Sequence, residues 1–97
     1  MIYSKSESDG IRVIVDGRLD TGTAPELRKV LIDIPDDTGS LTIDLGNTYY
    51  ISSAGLRVLL SAQKVMNAQG SMKITNAIPE VLEVFEITGF TDILTIE

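Results

Sequence analysis

Polar and apolar residues alternate along several short stretches of the chain, which is the pattern of a strand with one buried face. Between the first two stretches, Asp9 and Gly10 have the residue types of a tight hairpin turn. A further turn is indicated by Gly46 and Asn47. The sequence therefore predicts five strands, the first two forming a β-hairpin, at residues 2–7, 11–16, 41–45, 72–75 and 93–96.

Between these strands, apolar residues recur every three or four positions, which is typical of amphipathic helices. The first helix is expected at about residues 24–34. Thr23 and Glu26 have the spacing of a capping box at its start. Pro35 ends it, because the residue before a proline is pushed out of the helical region.

The second predicted helix begins near Ala54 and ends at Gly70, since glycine readily terminates a helix. Its buried stripe is expected to contain Val58, Leu59, Ala62, Val65 and Met66. The third helix begins after Asn76, a good capping residue, and ends at Gly89. Its outward stripe of glutamates is either a solvated face or an acidic docking surface.

The predicted order of elements is β-β-α-β-α-β-α-β. Strands that alternate with helices after an opening hairpin favour an α/β fold, in which helices pack on a mixed, partly parallel sheet with right-handed crossovers. The length of 97 residues is close to the common size of one domain. Because no internal repeat or long linker divides the chain, we expect a single domain at residues 1–97.

The composition excludes several kinds of site. Neither cysteine nor histidine occurs, so a disulfide framework and a Ser-His-Asp hydrolase are excluded, and the commonest metal ligand is missing. No glycine-rich phosphate loop is present. The sequence thus predicts no metal, no cofactor and no nucleotide site.

Charge is distributed unevenly along the chain. The net charge is −6, and all eight basic residues lie within residues 1–73, whereas residues 74–97 contain five acidic residues and no basic one. A basic face clustered enough for nucleic acid is therefore not expected. No carboxylate occurs between Leu45 and Pro79, so the second helix is locally positive and suits an anion.

No stretch of the chain is apolar enough to span a membrane, which takes a run of about 18 apolar residues. The opening residues, Met1 to Gly10, lack the apolar core of a signal peptide. We therefore expect a soluble cytoplasmic protein. The sequence predicts neither a monomer nor an oligomer.

The segment from Asp44 to Leu60, DLGNTYYISSAGLRVLL, joins a strand to the second helix and contains the candidate chemistry. Ser53 lies at or next to the helix N-cap, where its oxygen would accept a hydrogen bond from a first-turn N–H. The same N–H groups and the helix dipole would also stabilise a phosphoryl group on that hydroxyl. Arg57, one turn further on, could reach back to the added oxygens.

Asp44-Leu45, an aromatic spacer and then the segment from Ser52 to Leu56, SSAGL, resemble the central motif of the STAS domain of bacterial anti-sigma factor antagonists. The segment from Gly17 to Asp20, GRLD, resembles the second signature of that family. The resemblance covers nearly the whole chain. The commonest motif of the family is Asp-Ser-Ser-Gly, whereas here Ser52 holds the aspartate position and Ala54 that of the second serine.

The resemblance implies that Ser53 accepts a phosphoryl group from a partner kinase that is itself the anti-sigma factor, with a histidine-kinase-like ATPase fold. The unphosphorylated domain would bind this kinase and so release a sigma factor, and the phosphorylated domain would dissociate. The chain would then be a substrate and not an enzyme. The implied partner-binding residues are Asp20, Thr21, Ser52, Ala54, Gly55 and Arg57.

Asp20 has two interpretations. The resemblance places it beside Ser53, where it would orient the hydroxyl or repel a phosphate. An aspartate in a strand-to-helix loop also commonly satisfies backbone donors of its own turn.

Two other functions stay open. A STAS-like interaction module of a transport or other regulatory complex would bind its partner without being phosphorylated. An enzyme with Ser53 as nucleophile would need a basic partner. Lys64 lies about 16 Å along the helix and is too far away, which leaves Lys73.

Overall fold

The alternating and helical patterns correspond to regular elements in the structure, a computed structural model that describes residues 1–97. The elements are β1 (Ile2–Glu7), β2 (Gly10–Leu19), α1 (Ala24–Ile32), β3 (Ser40–Ile51), α2 (Ser53–Gln69), β4 (Ser71–Thr75) and α3 (Pro79–Thr88). A short 3₁₀ turn, Phe90–Asp92, follows α3. None of the helices combines the length and the apolar character that crossing a membrane requires.

The four strands form one mixed sheet in the order β1-β2-β3-β4. β1 and β2 pair antiparallel as the predicted hairpin, whereas β2 with β3 and β3 with β4 are parallel. The two crossovers step across the sheet in the same direction, so right-handed connections place α1 and α2 on the same face. The two helices contact each other there. The predicted mixed α/β fold is confirmed.

One apolar core lies between the sheet and the helices. Alternate residues of a strand point to opposite faces, and Val13 and Ile43 are fully buried on the face that the helices cover. Leu27, Leu59 and Phe85 are fully buried from the helix side. This packing fixes α1 and α2 against the sheet and therefore positions the loops at its ends.

The opposite face of the sheet is mostly polar, although Ile14 of β2 is buried on it. Arg12 donates from Nε to Glu7 at 2.9 Å and from Nη1 to Asp44 at 2.8 Å, which links three strands. Asp44 also accepts hydrogen bonds from the N–H of Gly46 and the side-chain amide of Asn76. Burial alone would raise the pKa of Asp44, but these hydrogen bonds and the guanidinium charge outweigh burial and lower the pKa below its ordinary value.

The turn predicted at Gly46 and Asn47 is wrong, since β3 continues through both residues to Ile51. Asn47 pairs with Asp16 of β2, which itself extends beyond its predicted end. The register between the two strands shifts twice, and each time β3 contains one extra residue. Such bulges keep turn-forming residues within a paired strand, so β2 and β3 extend together to the edge where α2 begins.

Three smaller predictions are also corrected. Asn76 does not cap α3, because its backbone has a φ of 63° and its side chain donates to a carboxylate of β3. Val65 was expected in the buried stripe of α2 but is 59% exposed, because the apolar stripe of this helix is wider than the surface that covers it. The last predicted strand contributes one parallel bridge, between Ile96 and Ile74, because the 3₁₀ turn occupies the chain just before it.

Candidate functional site

The carboxyl ends of β2 and β3 meet the amino end of α2 at one edge of the sheet, the edge at which open α/β sheets bind ligands. The N–H of Ser52 donates to the carbonyl of Leu19 at 2.9 Å, which joins the start of α2 to the end of β2. Ser52 is the N-cap residue, with an extended backbone, and Ser53 is the first residue of the helix. Both serines therefore lie at this edge.

The two serines differ in accessibility. The Oγ of Ser52 is buried without a hydrogen-bond partner, whereas Ser53 is exposed. The Ser52 side chain does not cap the helix, so the first-turn N–H groups have no side-chain acceptor at their N-cap. Ser53 thus presents an accessible hydroxyl at the positive end of the α2 dipole.

Gly55 allows α2 to approach the end of β2 closely. A Cβ atom at this position would lie 2.7 Å from the Cγ of Leu19 and 2.8 Å from its carbonyl oxygen. Gly55 is buried, and Ala54 before it is half-buried. Gly55 was predicted to belong to the partner-binding surface, but the structure places it in the packing that holds Ser53 at the edge.

The carboxylate of Asp20 is held within the loop between β2 and α1. Its Oδ1 accepts hydrogen bonds from the N–H of Gly22 at 3.0 Å and of Thr23 at 3.1 Å, and Oδ2 accepts from the Nε of Arg18 at 3.0 Å. The hydrogen bond from Arg18, and then those from the loop, lower the pKa of Asp20 below its ordinary value. An ionised Asp20 therefore stabilises its own loop, and these hydrogen bonds do not reach Ser53.

The capping box predicted at the start of α1 does not form. Thr23 Oγ1 accepts a hydrogen bond from the N–H of Asp20 at 2.9 Å and donates to the carbonyl of Arg18 at 2.8 Å. Because this hydroxyl is used inside the loop, it does not cap the helix. Thr21 is exposed in the same loop, where a partner can reach it.

Two tyrosines just before Ser52 form an exposed aromatic surface, which the sequence pattern did not predict. Ile51 is buried, whereas Tyr49 is 60% and Tyr50 is 43% exposed. The guanidinium carbon of Arg18 lies 4.3 Å from the centroid of the Tyr50 ring, a distance typical of a cation–π contact. Tyr49 is the extra residue of the second bulge, so simple alternation along the strand could not predict its direction.

Positive charge lies in a cleft between α1 and the first turns of α2. Arg57 is exposed one turn after Ser53 and belongs to none of the ion pairs of the structure. Together with Arg28 and Lys29 it lines a cleft of about 330 Å³ that no carboxylate lines. No group of three or more acidic residues converges elsewhere as metal ligands would. This cleft therefore suits an anion.

Neither Lys73 nor Lys64 is placed as a catalytic partner of Ser53. Lys73 forms an ion pair with Glu97 at 3.7 Å. It lies on the polar face of the sheet, because its neighbours in β4 are buried beneath the helices. Lys64 is exposed further along α2. Neither of these two lysines therefore supplies the base that a serine nucleophile requires.

One family model, that of the STAS domain, matches residues 4–97. Among similar sequences, the anti-sigma-B factor antagonist of Bacillus subtilis (strain 168) is 33% identical over 93 residues. That match covers 95% of this chain and 85% of the relative.

Solved structures share the fold. The anti-sigma factor antagonist from Mycobacterium paratuberculosis has a TM-score of 0.89 at 21% identity, over 99% of this chain and 83% of that one. The anti-sigma factor antagonist SpoIIAA in its unphosphorylated form has a TM-score of 0.79 at 14% identity, over 100% and 88% of the two chains. The phosphorylated form of the Bacillus cell fate determinant SpoIIAA has a TM-score of 0.73 at 14% identity, over 100% and 91%. At these identities the likeness concerns the fold.

Proposed function

This chain belongs to the STAS domain family, and we propose that it acts as an anti-sigma factor antagonist controlled by phosphorylation of Ser53. Its partner would be a serine-kinase anti-sigma factor with a histidine-kinase-like ATPase fold. The role as an anti-sigma factor antagonist is supported by the name of the Bacillus subtilis relative, an anti-sigma-B factor antagonist aligned over 95% of this chain. A regulator of sigma factors acts where RNA polymerase is, so we place the protein in the cytoplasm.

The contrast between the two serines at the start of α2 is the observation that carries the proposal. Ser53 is exposed and Ser52 Oγ is buried, so a kinase active site can approach only Ser53. The fold relative SpoIIAA occurs in an unphosphorylated and a phosphorylated form. This supports phosphorylation as a means of control in a protein of this architecture.

In the proposed transfer, the Oγ of Ser53 forms a bond to the γ-phosphorus of ATP held by the kinase, and the bond from that phosphorus to the oxygen of the departing ADP breaks. The hydroxyl proton passes to a base of the kinase, because Asp20 is held within its own loop. The new group brings about −1.5 to −2 charges. The positive end of α2 and the unpaired Arg57 would stabilise that charge on this chain.

The added charge would oppose binding at an interface formed around a neutral hydroxyl. Desolvation and like-charge repulsion both disfavour the complex, and a penalty of about 3 kcal/mol weakens binding roughly a hundredfold. Tyr49, Tyr50 and Arg18 border the same edge of the sheet. Tyrosine and arginine are enriched at the energetic centres of protein interfaces, so we expect the partner to contact them together with Asp20 and Thr21.

Intact-mass analysis after incubation with the cognate kinase and ATP tests the assignment. Wild type is expected to gain one phosphoryl group, and Ser53→Ala none. Ser52→Ala and Ser61→Ala are matched controls, since Ser61 is an exposed serine on the same helix, and both should be modified like wild type. A phosphoryl group that still appears on Ser53→Ala would overturn the assignment.

A further inference from the structure

A groove runs along the seam between α1 and α2. Its main part has a volume of about 520 Å³ and is lined largely by apolar side chains, among them Leu31, Val58 and Met66. It continues into the cationic cleft that Arg28, Lys29 and Arg57 line, since Arg28 and Ile32 line both. Mostly apolar clefts of about 300–1,000 Å³ with a few polar groups are typical small-molecule sites. We call the two parts together the α1/α2 groove.

Apolar side chains also stand exposed on both walls of the α1/α2 groove. Ile32 of α1 is 73% exposed and Val65 of α2 is 59% exposed, although both helices have a well-buried apolar stripe. Both residues line the main part of the groove. The two side chains extend the apolar lining of the groove onto the surface of the protein.

Charged side chains are distributed unevenly along the α1/α2 groove. Arg28, Lys29 and Arg57 line its cationic part, Arg28 also lines the main part, and none of them belongs to an ion pair. Asp36 and Gln69 line the main part, towards the carboxyl ends of the helices. A ligand complementary to this surface carries its negative charge at one end only and an aliphatic chain beyond it.

We propose that the α1/α2 groove binds a free aliphatic carboxylate, a fatty acid of medium chain length. Its carboxylate would contact Arg28, Lys29 and Arg57, and its chain would lie between Ile32 and Val65. An extended acyl chain with a single carboxylate matches a groove that is mostly apolar in its main part and is lined by three basic side chains and no carboxylate in its other part. The inference does not depend on phosphorylation of Ser53.

Titration of the full chain with dodecanoate, below its micellar concentration, tests the proposal by calorimetry and by methyl NMR. Saturable binding is expected, with shifts of the Ile32 and Val65 methyl signals and not of Ile87, which is 77% exposed on α3. A buried methylene strengthens binding about fourfold. Octanoate lacks four of the methylenes of dodecanoate. Even with only two of these four buried in the complex, octanoate should bind about 15-fold more weakly than dodecanoate. Dodecyltrimethylammonium, with the same tail and a positive head, should not saturate the site.

Charge variants of the α1/α2 groove complete the test. Arg28→Glu and Val65→Glu should each weaken dodecanoate binding at least tenfold. Lys64→Glu and Ile87→Glu likewise replace one basic and one aliphatic side chain with glutamate, but outside the groove, and should leave the affinity unchanged. Equal losses in all four variants, equal binding of the cationic analogue, or an acidic amphipathic peptide binding where dodecanoate does not would overturn the proposal. Since the titration contains neither kinase nor ATP, its result is independent of the proposed switch.

Discussion

The close approach of α2 to the end of β2 requires a residue without a side chain at position 55, which is Gly55. In Gly55→Ala the new methyl group would lie 2.7 Å from the Cγ of Leu19, 2.8 Å from the Leu19 carbonyl oxygen and 3.2 Å from the Cγ1 of Ile51. The leucine side chain can turn away. The carbonyl belongs to the backbone of β2, so the strand or the helix has to move.

The expected cost follows from two opposing effects. Overpacking of this kind lowers the free energy of unfolding by about 1–3 kcal/mol, whereas alanine in place of glycine favours a helix by up to about 1 kcal/mol. Gly55 lies in the first turn of α2, where the propensity gain is smallest. We therefore expect a net loss of about 1–2 kcal/mol, or roughly 5–15 °C in Tm for a chain of this size.

Urea unfolding followed by circular dichroism measures this loss, and a double-mutant cycle locates it. In a Leu19→Ala background the Cγ contact is gone and the carbonyl contact persists, so Gly55→Ala should cost less there but not nothing. Gly22→Ala is the matched control, because a Cβ there meets only one carboxylate oxygen at 3.5 Å. Its effect should stay within about 0.5 kcal/mol.

A Gly55→Ala variant as stable as wild type would show that the start of α2 does not rely on this close approach. That result would refute the account of how Ser53 is held at the edge of the sheet. A cost that Leu19→Ala leaves unchanged would instead assign the strain to the backbone carbonyl of Leu19 alone.

Three further predictions concern the switch, the polar face of the sheet and the bulged strand. Ser53→Asp should weaken kinase binding, measured by calorimetry, whereas Ser61→Asp should not; unchanged affinity of Ser53→Asp would favour an interaction module that is never phosphorylated. Hydrogen bonds lower the folded-state pKa of Asp44 despite its burial, so the ionised carboxylate stabilises the folded protein. This stabilisation is complete above the unfolded-state pKa of about 3.9 and is lost as the pH falls through the folded-state pKa. Asp44→Asn should therefore reduce the loss of unfolding free energy between pH 7 and pH 3 in urea titrations, and an unchanged loss would contradict this. Thr48 donates to the carbonyl of Val15 at 2.7 Å in the core, so Thr48→Val should lower the unfolding free energy by about 1–3 kcal/mol, whereas a loss below about 0.5 kcal/mol would show that the hydroxyl is dispensable.

The change from strand to helix spacing within the segment from Asp44 to Leu60 was sufficient to predict that Ser53 lies at the start of α2. The periodicity of apolar residues reflects which face of an element is buried, so a change of period marks the point where the strand ends and the helix begins. It could not reveal which of two adjacent serines is accessible. That depends on the hydrogen bond from Ser52 to Leu19 and on the close packing of Gly55, which are contacts between distant parts of the chain.

Local residue preferences failed where tertiary contacts used the same residues differently. Gly46 and Asn47 have the composition of a turn, but pairing with β2 keeps them within a bulged strand. Asn76 has the composition of a helix cap, but its amide binds Asp44 instead. Tyr49 could not be assigned to either face, because the bulge that turns it outward has no signature in the alternation.

Whether phosphorylation of Ser53 controls the complex is decided by the affinity of the cognate anti-sigma factor kinase for this chain before and after the modification. One preparation, divided into an unmodified sample and a sample phosphorylated on Ser53, would be titrated into the kinase by calorimetry. We expect the modified sample to bind about a hundredfold more weakly. Equal affinity of the two samples would contradict the proposal that the hydroxyl of Ser53 controls the complex.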